Sequence, residues 1–148
     1  GGCIMLVSEV LHSKGDRIVS IDLEATVQEA IAKLVQNNIG SLPVVDASGK
    51  LVGIFAERDV LRLFHSRGDG FCRLRISDTM TPDPVTCDPS HNVSDVMGQM
   101  SEGRIAKVPV VSDGTLVGIV SVGDVIKVLY DQVSTENQHL LSYIQGGV

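Results

Sequence analysis

The sequence predicts an α/β (α+β) fold in which a β-α-β-β-α unit occurs twice in tandem. The two copies are expected to pack about a pseudo-two-fold axis, with short helices at the N- and C-terminal ends. Three observations lead there. The stretch Leu51-Val52-Gly53-Ile54-Phe55-Ala56-Glu57-Arg58-Asp59-Val60 returns as Leu116-Val117-Gly118-Ile119-Val120-Ser121-Val122-Gly123-Asp124-Val125. The caps, strands and turns before it return in the same order at a shift of 66 residues, which becomes 65 after a one-residue deletion at Asp113-Gly114. The chain is 43% hydrophobic with no Trp, two Tyr and three Phe, so Val, Ile and Leu must fill the core, as they do in buried, largely parallel sheets.

Taken in order, Met5, Leu6, Val7, Val10 and Leu11 have the spacing of a short helix that Lys14-Gly15-Asp16 ends. Arg17 to Ile21 reads as a strand. Thr26-Val27-Gln28-Glu29 is a capping box that opens a helix through Asn37, with Val27, Ala30, Ile31 and Leu34 on one face. Asn38-Ile39-Gly40 stops it. Leu42 to Val45 and Leu51 to Phe55 read as strands joined by a turn over Asp46-Ala47-Ser48-Gly49-Lys50, and Glu57 to about Ser66 as a helix. In the second copy Val85-Thr86-Cys87-Asp88 stands for Val19-Ser20-Ile21-Asp22, Asn92 for Thr26, and Val108-Pro109-Val110-Val111 for Leu42-Pro43-Val44-Val45. Thr135-Glu136-Asn137-Gln138 is a further capping box and predicts a separate C-terminal helix. The expected division is a first unit over 5–66, a linker over 67–79, a second unit over 80–131 and the C-terminal helix over 134–146. One unit of about 60 residues would bury too little surface to be very stable, so the copies are expected to share a core and to leave two clefts.

The net charge of −6 and the absence of a basic stripe argue against a nucleic-acid backbone as partner, although Arg58, Arg62, Arg67 and Arg73 form a local basic group. Cys3, Cys72 and Cys87 are widely spaced and read as reduced thiols of a cytoplasmic protein, and the four histidines are scattered, so no metal site is expected. No apolar run reaches the roughly 18 residues of a membrane helix.

The repeated turn is where chemistry is expected, because each copy places an aspartate six residues after a glycine in the first turn of a helix. In the second copy Ser121 and Asp124 also fit a capping box that needs no ligand. In the first copy Ala56 replaces the hydroxyl, so Asp59 cannot complete a reciprocal box, and an acid kept without its cap points to a ligand. A carboxylate can accept hydrogen bonds from both vicinal hydroxyls of a ribose. Lys107 and Arg104 are candidate phosphate cations in the second copy. Ser41 and Asn38 hold the equivalent places in the first, where Arg58 adjoins Asp59. Lys107 interrupts an apolar approach to a strand and is expected to have a partner. Ile18, Val19, Val85, Ile39, Ile105, Pro43 and Pro109 are candidates to wall a flat base, or are ordinary core. Backbone groups near Ser20 and Thr86 are candidates to read its edge.

At these residues the chain resembles a tandem pair of the cystathionine-β-synthase (CBS) domain family, of the small stand-alone bacterial type. The resemblance rests on Ile39-Gly40-Ser41-Leu42-Pro43-Val44-Val45-Asp46 with the Leu51–Asp59 stretch, on Val108-Pro109-Val110-Val111 with the Leu116–Asp124 stretch, and on Met80-Thr81-Pro82-Asp83-Pro84-Val85-Thr86 as the approach to a second unit. It implies a two-cleft disc that binds adenosyl ligands: AMP, ADP, ATP, NAD(H) or S-adenosylmethionine. The family's G-h-x-[ST]-x-x-D signature puts its aspartate on the ribose. It maps in full onto Gly118, Ser121 and Asp124, and onto Gly53 and Asp59 with Ala56 in place of the hydroxyl. The resemblance also places Arg58 near phosphates, and Ala106-Lys107 where relatives often carry Arg-His.

The function expected is therefore a non-catalytic regulatory module, with no catalytic cofactor, that binds an adenine nucleotide and acts in trans, as a homodimer or on an enzyme or transporter. The alternative is an interaction or oligomerisation scaffold with empty or vestigial sites. An enzyme would have to use Glu57, Asp59, Ser121, Lys107 or His91, and these show no convincing catalytic spacing.

Overall fold

The computed structural model describes residues 5–15 and 17–146, with side-chain surroundings through residue 135. Its elements alternate as the repeat requires: α1 (Val7–Lys14), β1 (Ile21–Asp22), α2 (Val27–Asn37), β2 (Ser41–Val45), β3 (Leu51–Ala56), α3 (Glu57–Arg67), α4 (Ile76–Thr79), β4 (Thr81–Pro82), α5 (Val93–Gly103), β5 (Lys107–Ser112), β6 (Thr115–Ser121) and α6 (Val122–Gly146). A single 3-10 turn, Phe71–Arg73, lies between α3 and α4.

The chain divides into two compact units that do not follow the sequence repeat. The first combines residues 1–16, 89–108 and 119–148, and the second combines 17–88 and 109–118. The second holds a four-stranded sheet of order β1-β2-β3-β4. β1 runs parallel to β2 (Ile21 opposite Val44), while β2–β3 and β3–β4 are antiparallel. Its core is Ile21, Val27, Ala30, Leu34, Leu42, Val44, Phe55, Leu63, Phe71 and Ile76. Phe71 meets Phe64 edge to face at 5.9 Å. Residues 67–70 of the expected linker are exposed, but Phe71, Ile76 and Thr79 are buried, so part of that segment belongs to the core.

Helix ends are made as the sequence indicates. Thr26 Oγ1 accepts the Glu29 N–H while Glu29 accepts the Thr26 N–H, and Asn92 Oδ1 accepts the Ser94 N–H. Asn38 and Arg104, one repeat apart, both end their helices in the left-handed region at φ 52°. Asn tolerates that conformation. Arg does not, at a cost of roughly 1–2 kcal/mol.

Two expectations change. Residues 17–20 are not a strand, and pairing begins at Ile21. The Ser20 carbonyl instead accepts the Lys33 ammonium at 2.6 Å, and Arg17 donates to Asn37. In the second copy the corresponding contact is a single parallel bridge between Cys87 and Val110. The separate helix expected at 134–146 is the distal part of α6, which runs unbroken for 25 residues. Thr135 does not cap a new helix because its hydroxyl donates to the Asp131 carbonyl one turn back, at 2.8 Å.

In the first unit, Val7, Val10, Val93, Val96, Met100, Val108, Val120 and Val125 are buried, and α1 and α5 both pack on α6. The N-terminal end of α1 is fastened by main-chain bonds from Val7 to His91 and from Ser8 to Pro89. Cys87, in the other unit, is buried. Desolvation and the neighbouring Asp88 push its thiol pKa up to about 11.

Gly53 sets how closely β4 lies on β3. A Cβ there would stand 2.6 Å from Met80 Sδ and 2.9 Å from the Thr81 carbonyl oxygen. Because the second obstacle is backbone, Gly53→Ala is expected to cost about 1–3 kcal/mol, read as a lower urea midpoint at unchanged slope.

Candidate functional site

Both repeated aspartates stand at the third position of a helix, and both do the same local work. Asp59 Oδ2 accepts the Ala56 N–H at 2.9 Å, and Asp124 Oδ2 accepts the Ser121 N–H at 3.0 Å. In the second copy the box is reciprocal, since the Asp124 N–H donates to Ser121 Oγ at 3.0 Å. Asp59 completes no reciprocal box, as expected, but it still caps the helix, so its persistence without the hydroxyl does not by itself point to a ligand. The half of the box that the acid supplies survives the loss of the hydroxyl, because it needs only the N–H of residue 56.

Around this shared contact the copies diverge. Asp59 is 3% exposed, and its Oδ1 accepts both Arg62 Nη2 (3.3 Å) and Thr81 Oγ1 (3.1 Å). Arg62 also donates to the Thr79 carbonyl, so the acid ties α3 to the segment through α4 and β4. The ion-pair partner of Asp59 is Arg62 rather than its neighbour Arg58, whose side chain is exposed. Asp124 keeps 23% of its side chain exposed and receives Lys14 Nζ on Oδ2 at 2.8 Å. The same ammonium donates to the Ile119 carbonyl at 2.9 Å. Among the described residues, no donor reaches Asp124 Oδ1.

Lys14 and Thr81 are counterparts that the repeat did not disclose. Thr81 pairs with Ile54 in β3, and Lys14 bonds Ile119, which stands 65 residues after Ile54. In each case the segment leading into one repeat reaches the aspartate of the other. A comparison of the lead-ins 14–16 and 80–82 would have been the sequence signal, but they share no residue at matching positions.

The other candidates fall as follows. Ser121, Lys107 and Arg104 lie with Asp124 in the first unit, and Arg58, Ile18, Ser20, Ser41, Pro43, Val85, Thr86 and Pro109 lie with Asp59 in the second. The Ala106 carbonyl accepts the Val122 N–H (2.9 Å), which sets the Arg104–Lys107 segment beside the first turn of α6. Lys107 is exposed, so a partner is not required, contrary to the expectation from its apolar surroundings. In the first copy the Gly40 carbonyl accepts the Glu57 N–H, and the Glu57 carboxylate lies against Gly40, 3.3 Å from where a Cβ would stand. Pro43 and Pro109 are buried within their strands. Cys87, next to Thr86, donates its N–H to the Pro109 carbonyl. Ser20 offers one lone pair of its carbonyl to Lys33.

Known proteins match this arrangement. The sequence model described as the CBS domain matches residues 7–66 and 76–131. The chain belongs to the CBS-domain family. The CBS domain-containing protein CBSX3 (mitochondrial) of Arabidopsis thaliana is 34% identical over 149 residues, covering 95% of this chain and 72% of that protein. This chain spans only 40% and 37% of two longer curated relatives. The solved CBS domain pair of protein MJ0100, in complex with 5-methylthioadenosine and S-adenosyl-L-methionine, is 30% identical with a TM-score of 0.73, covering 88% of this chain and 99% of that one. The structure of CBSX2 in complex with AMP is 26% identical with a TM-score of 0.74, covering 85% and 96%. Tandem CBS units in a mixed α+β fold are therefore the architecture of this chain. No helix among the described residues is long and apolar enough to cross a membrane.

Burial raises the Asp124 carboxyl pKa, but hydrogen bonds from Lys14 and Ser121, with the Lys14 charge, outweigh it and hold the carboxyl below its ordinary value of 3.8. The stability this contributes is present above that value and is lost as pH falls below it. Asp124→Asn should accordingly flatten the acid limb of a melting temperature against pH curve. Asp59→Ala is expected to cost about 1–2 kcal/mol, because it removes three hydrogen bonds to a buried carboxylate, and Asp124→Ala about 1 kcal/mol, both read by urea denaturation.

Proposed function

We propose that this chain is a non-catalytic regulatory module that binds an adenosine-containing ligand (AMP, ADP, ATP or NAD(H)) at the Asp124 site. It would report occupancy through self-association or through a protein partner. The observation that carries this reading is the state of the two carboxylates. Both oxygens of Asp59 have donors, whereas Asp124 Oδ1 has none among the described residues. A partly exposed carboxylate oxygen with open lone pairs is what a ribose hydroxyl needs. The relatives solved with AMP and with S-adenosylmethionine support an adenosyl ligand here. Ser121 and Asp124 would hold the ribose, Lys107 and Arg104 a phosphate, and a ligand would act by shifting an equilibrium between arrangements already present.

The scaffold reading has its own support in the first copy. There Asp59 serves the fold, and we assign it to holding α3 against β4 rather than to a second ligand. Arg58, Ile18, Ser20, Ser41 and Pro43 then frame a vestigial site. Free Cys72 and Cys87 fit a reducing, cytoplasmic setting.

Self-association has a physical motive. Ile126, Leu129, Tyr130 and Val133 are exposed on α6 at a spacing that puts them on one face, and Leu61 and Phe64 are exposed on α3. A homodimer would cover such faces. Ile126→Lys with Tyr130→Glu is expected to turn a dimer into a monomer by light scattering after gel filtration, and an unchanged mass would remove these residues from the interface.

Thermal denaturation with AMP, ATP, NAD and S-adenosylmethionine tests the ligand. A ligand at 100 times its dissociation constant adds about 2.7 kcal/mol of stability. One ligand per chain is expected, and Asp124→Ala should abolish the shift while Arg58→Ala leaves it. No shift with any adenosyl ligand would leave the scaffold reading standing.

A further inference from the structure

Lys14 lies outside the repeated motif, at the C-terminal end of α1, yet its ammonium is 2.8 Å from the Asp124 carboxylate. We propose that Lys14 makes the Asp124 site select adenosyl ligands that carry a phosphate over neutral or cationic ones, an inference that rests on the nucleotide reading of that site. The ammonium has three N–H groups. Among the described residues two are used, on Ile119 and on Asp124 Oδ2, and the side chain remains 34% exposed. It therefore shares the carboxylate without occupying Oδ1. A diol seated on Oδ1 would lie beside a fixed positive charge with one donor to spare.

The charge around that carboxylate points the same way. The Ala106–Val122 hydrogen bond sets the segment carrying Arg104 and Lys107 beside the first turn of α6, where the helix dipole also favours an anion. Against these two cations and Lys14 stands Asp124, so the four groups sum to +2 (three positive, one negative). Arg104 holds its place at φ 52°, which is unfavourable for its residue type and would suit Gly or Asn better. The first copy shows the opposite arrangement. Asn38 and Ser41 replace the two cations, and the Glu57 carboxylate lies against Gly40 where the second copy has Ala106. A neutral 5′ substituent would leave the cations of the second copy without a counter-charge, and a sulfonium would be repelled by them. A phosphate meets them.

Titration calorimetry of AMP, adenosine and S-adenosylmethionine into the whole chain, its Lys14→Met variant and its Lys14→Arg variant tests this. The unchanged chain should bind AMP at least about tenfold more tightly than the other two, as one partly screened charge contact would give. Lys14→Met should weaken AMP by about tenfold, leave adenosine within about twofold and so remove most of the margin, while Lys14→Arg keeps it. An AMP margin that survives Lys14→Met overturns the inference. So does adenosine binding that tightens about tenfold in that variant, which would make Lys14 a competitor for the carboxylate. Should Lys14→Met fail to fold, the unchanged chain decides: its AMP margin must shrink between about 0.05 M and about 0.5 M salt, and a constant margin overturns the inference. Failure of the unchanged chain to bind any of the three overturns this inference, whereas the nucleotide reading falls only if ATP and NAD also leave its melting unshifted.

Discussion

One contact organises the chain: a carboxylate one turn into a helix that accepts the N–H of the residue capping it. It occurs at Asp59 with Ala56 and at Asp124 with Ser121. It fixes where β3 and β6 end and where α3 and α6 start, since the first N–H groups of a helix have no partner within it. The remaining lone pairs of the acid are then available, and what takes them distinguishes the two copies. Thr81 and Arg62 fill them at Asp59, which makes that carboxylate part of the fold. At Asp124, among the described residues, only Oδ2 is taken, by the Ser121 N–H and by a lysine on a partly exposed stem.

This arrangement explains how a repeat diverges without losing its fold. The cap is needed in both copies, so the acid persists in both. The lead-in segment differs between the copies. In one case it became a short strand, β4, laid on β3 against Gly53. In the other it became a helix whose last lysine reaches Ile119. Gly40 with Glu57 and Ala106 with Val122 show the same logic on a smaller scale. A glutamate over the turn fits where the facing residue has no Cβ, and a valine stands where the facing residue is alanine.

Much of the fold was legible because its signals are local. The capping box at Thr26, the stop at Asn38, the Asp46–Lys50 turn with Gly49 at φ 86° and the two apolar strand pairs each follow from residues within a few positions of one another. The misreadings share a cause. The strand at 17–20 and the new helix at Thr135 both looked right locally, but Lys33 took the Ser20 carbonyl and Asp131 took the Thr135 hydroxyl. In each, a side chain-to-backbone hydrogen bond took a group that the expected element would have used.

By itself, the sequence determined that this is a doubled β-α-β-β-α chain of the CBS type, and that an aspartate recurs where a strand turns into a helix. A period of 66 with caps in order admits few other readings. Only the tertiary structure decided which donors reach the lone pairs of each aspartate. Those donors, Thr81 and Arg62 at one and Lys14 at the other, include partners 22 and 110 positions away. No periodicity or propensity carries information over such separations. Whether a carboxylate is consumed by the fold or left for a ligand depends on which distant donors arrive at its lone pairs, and chain topology settles that.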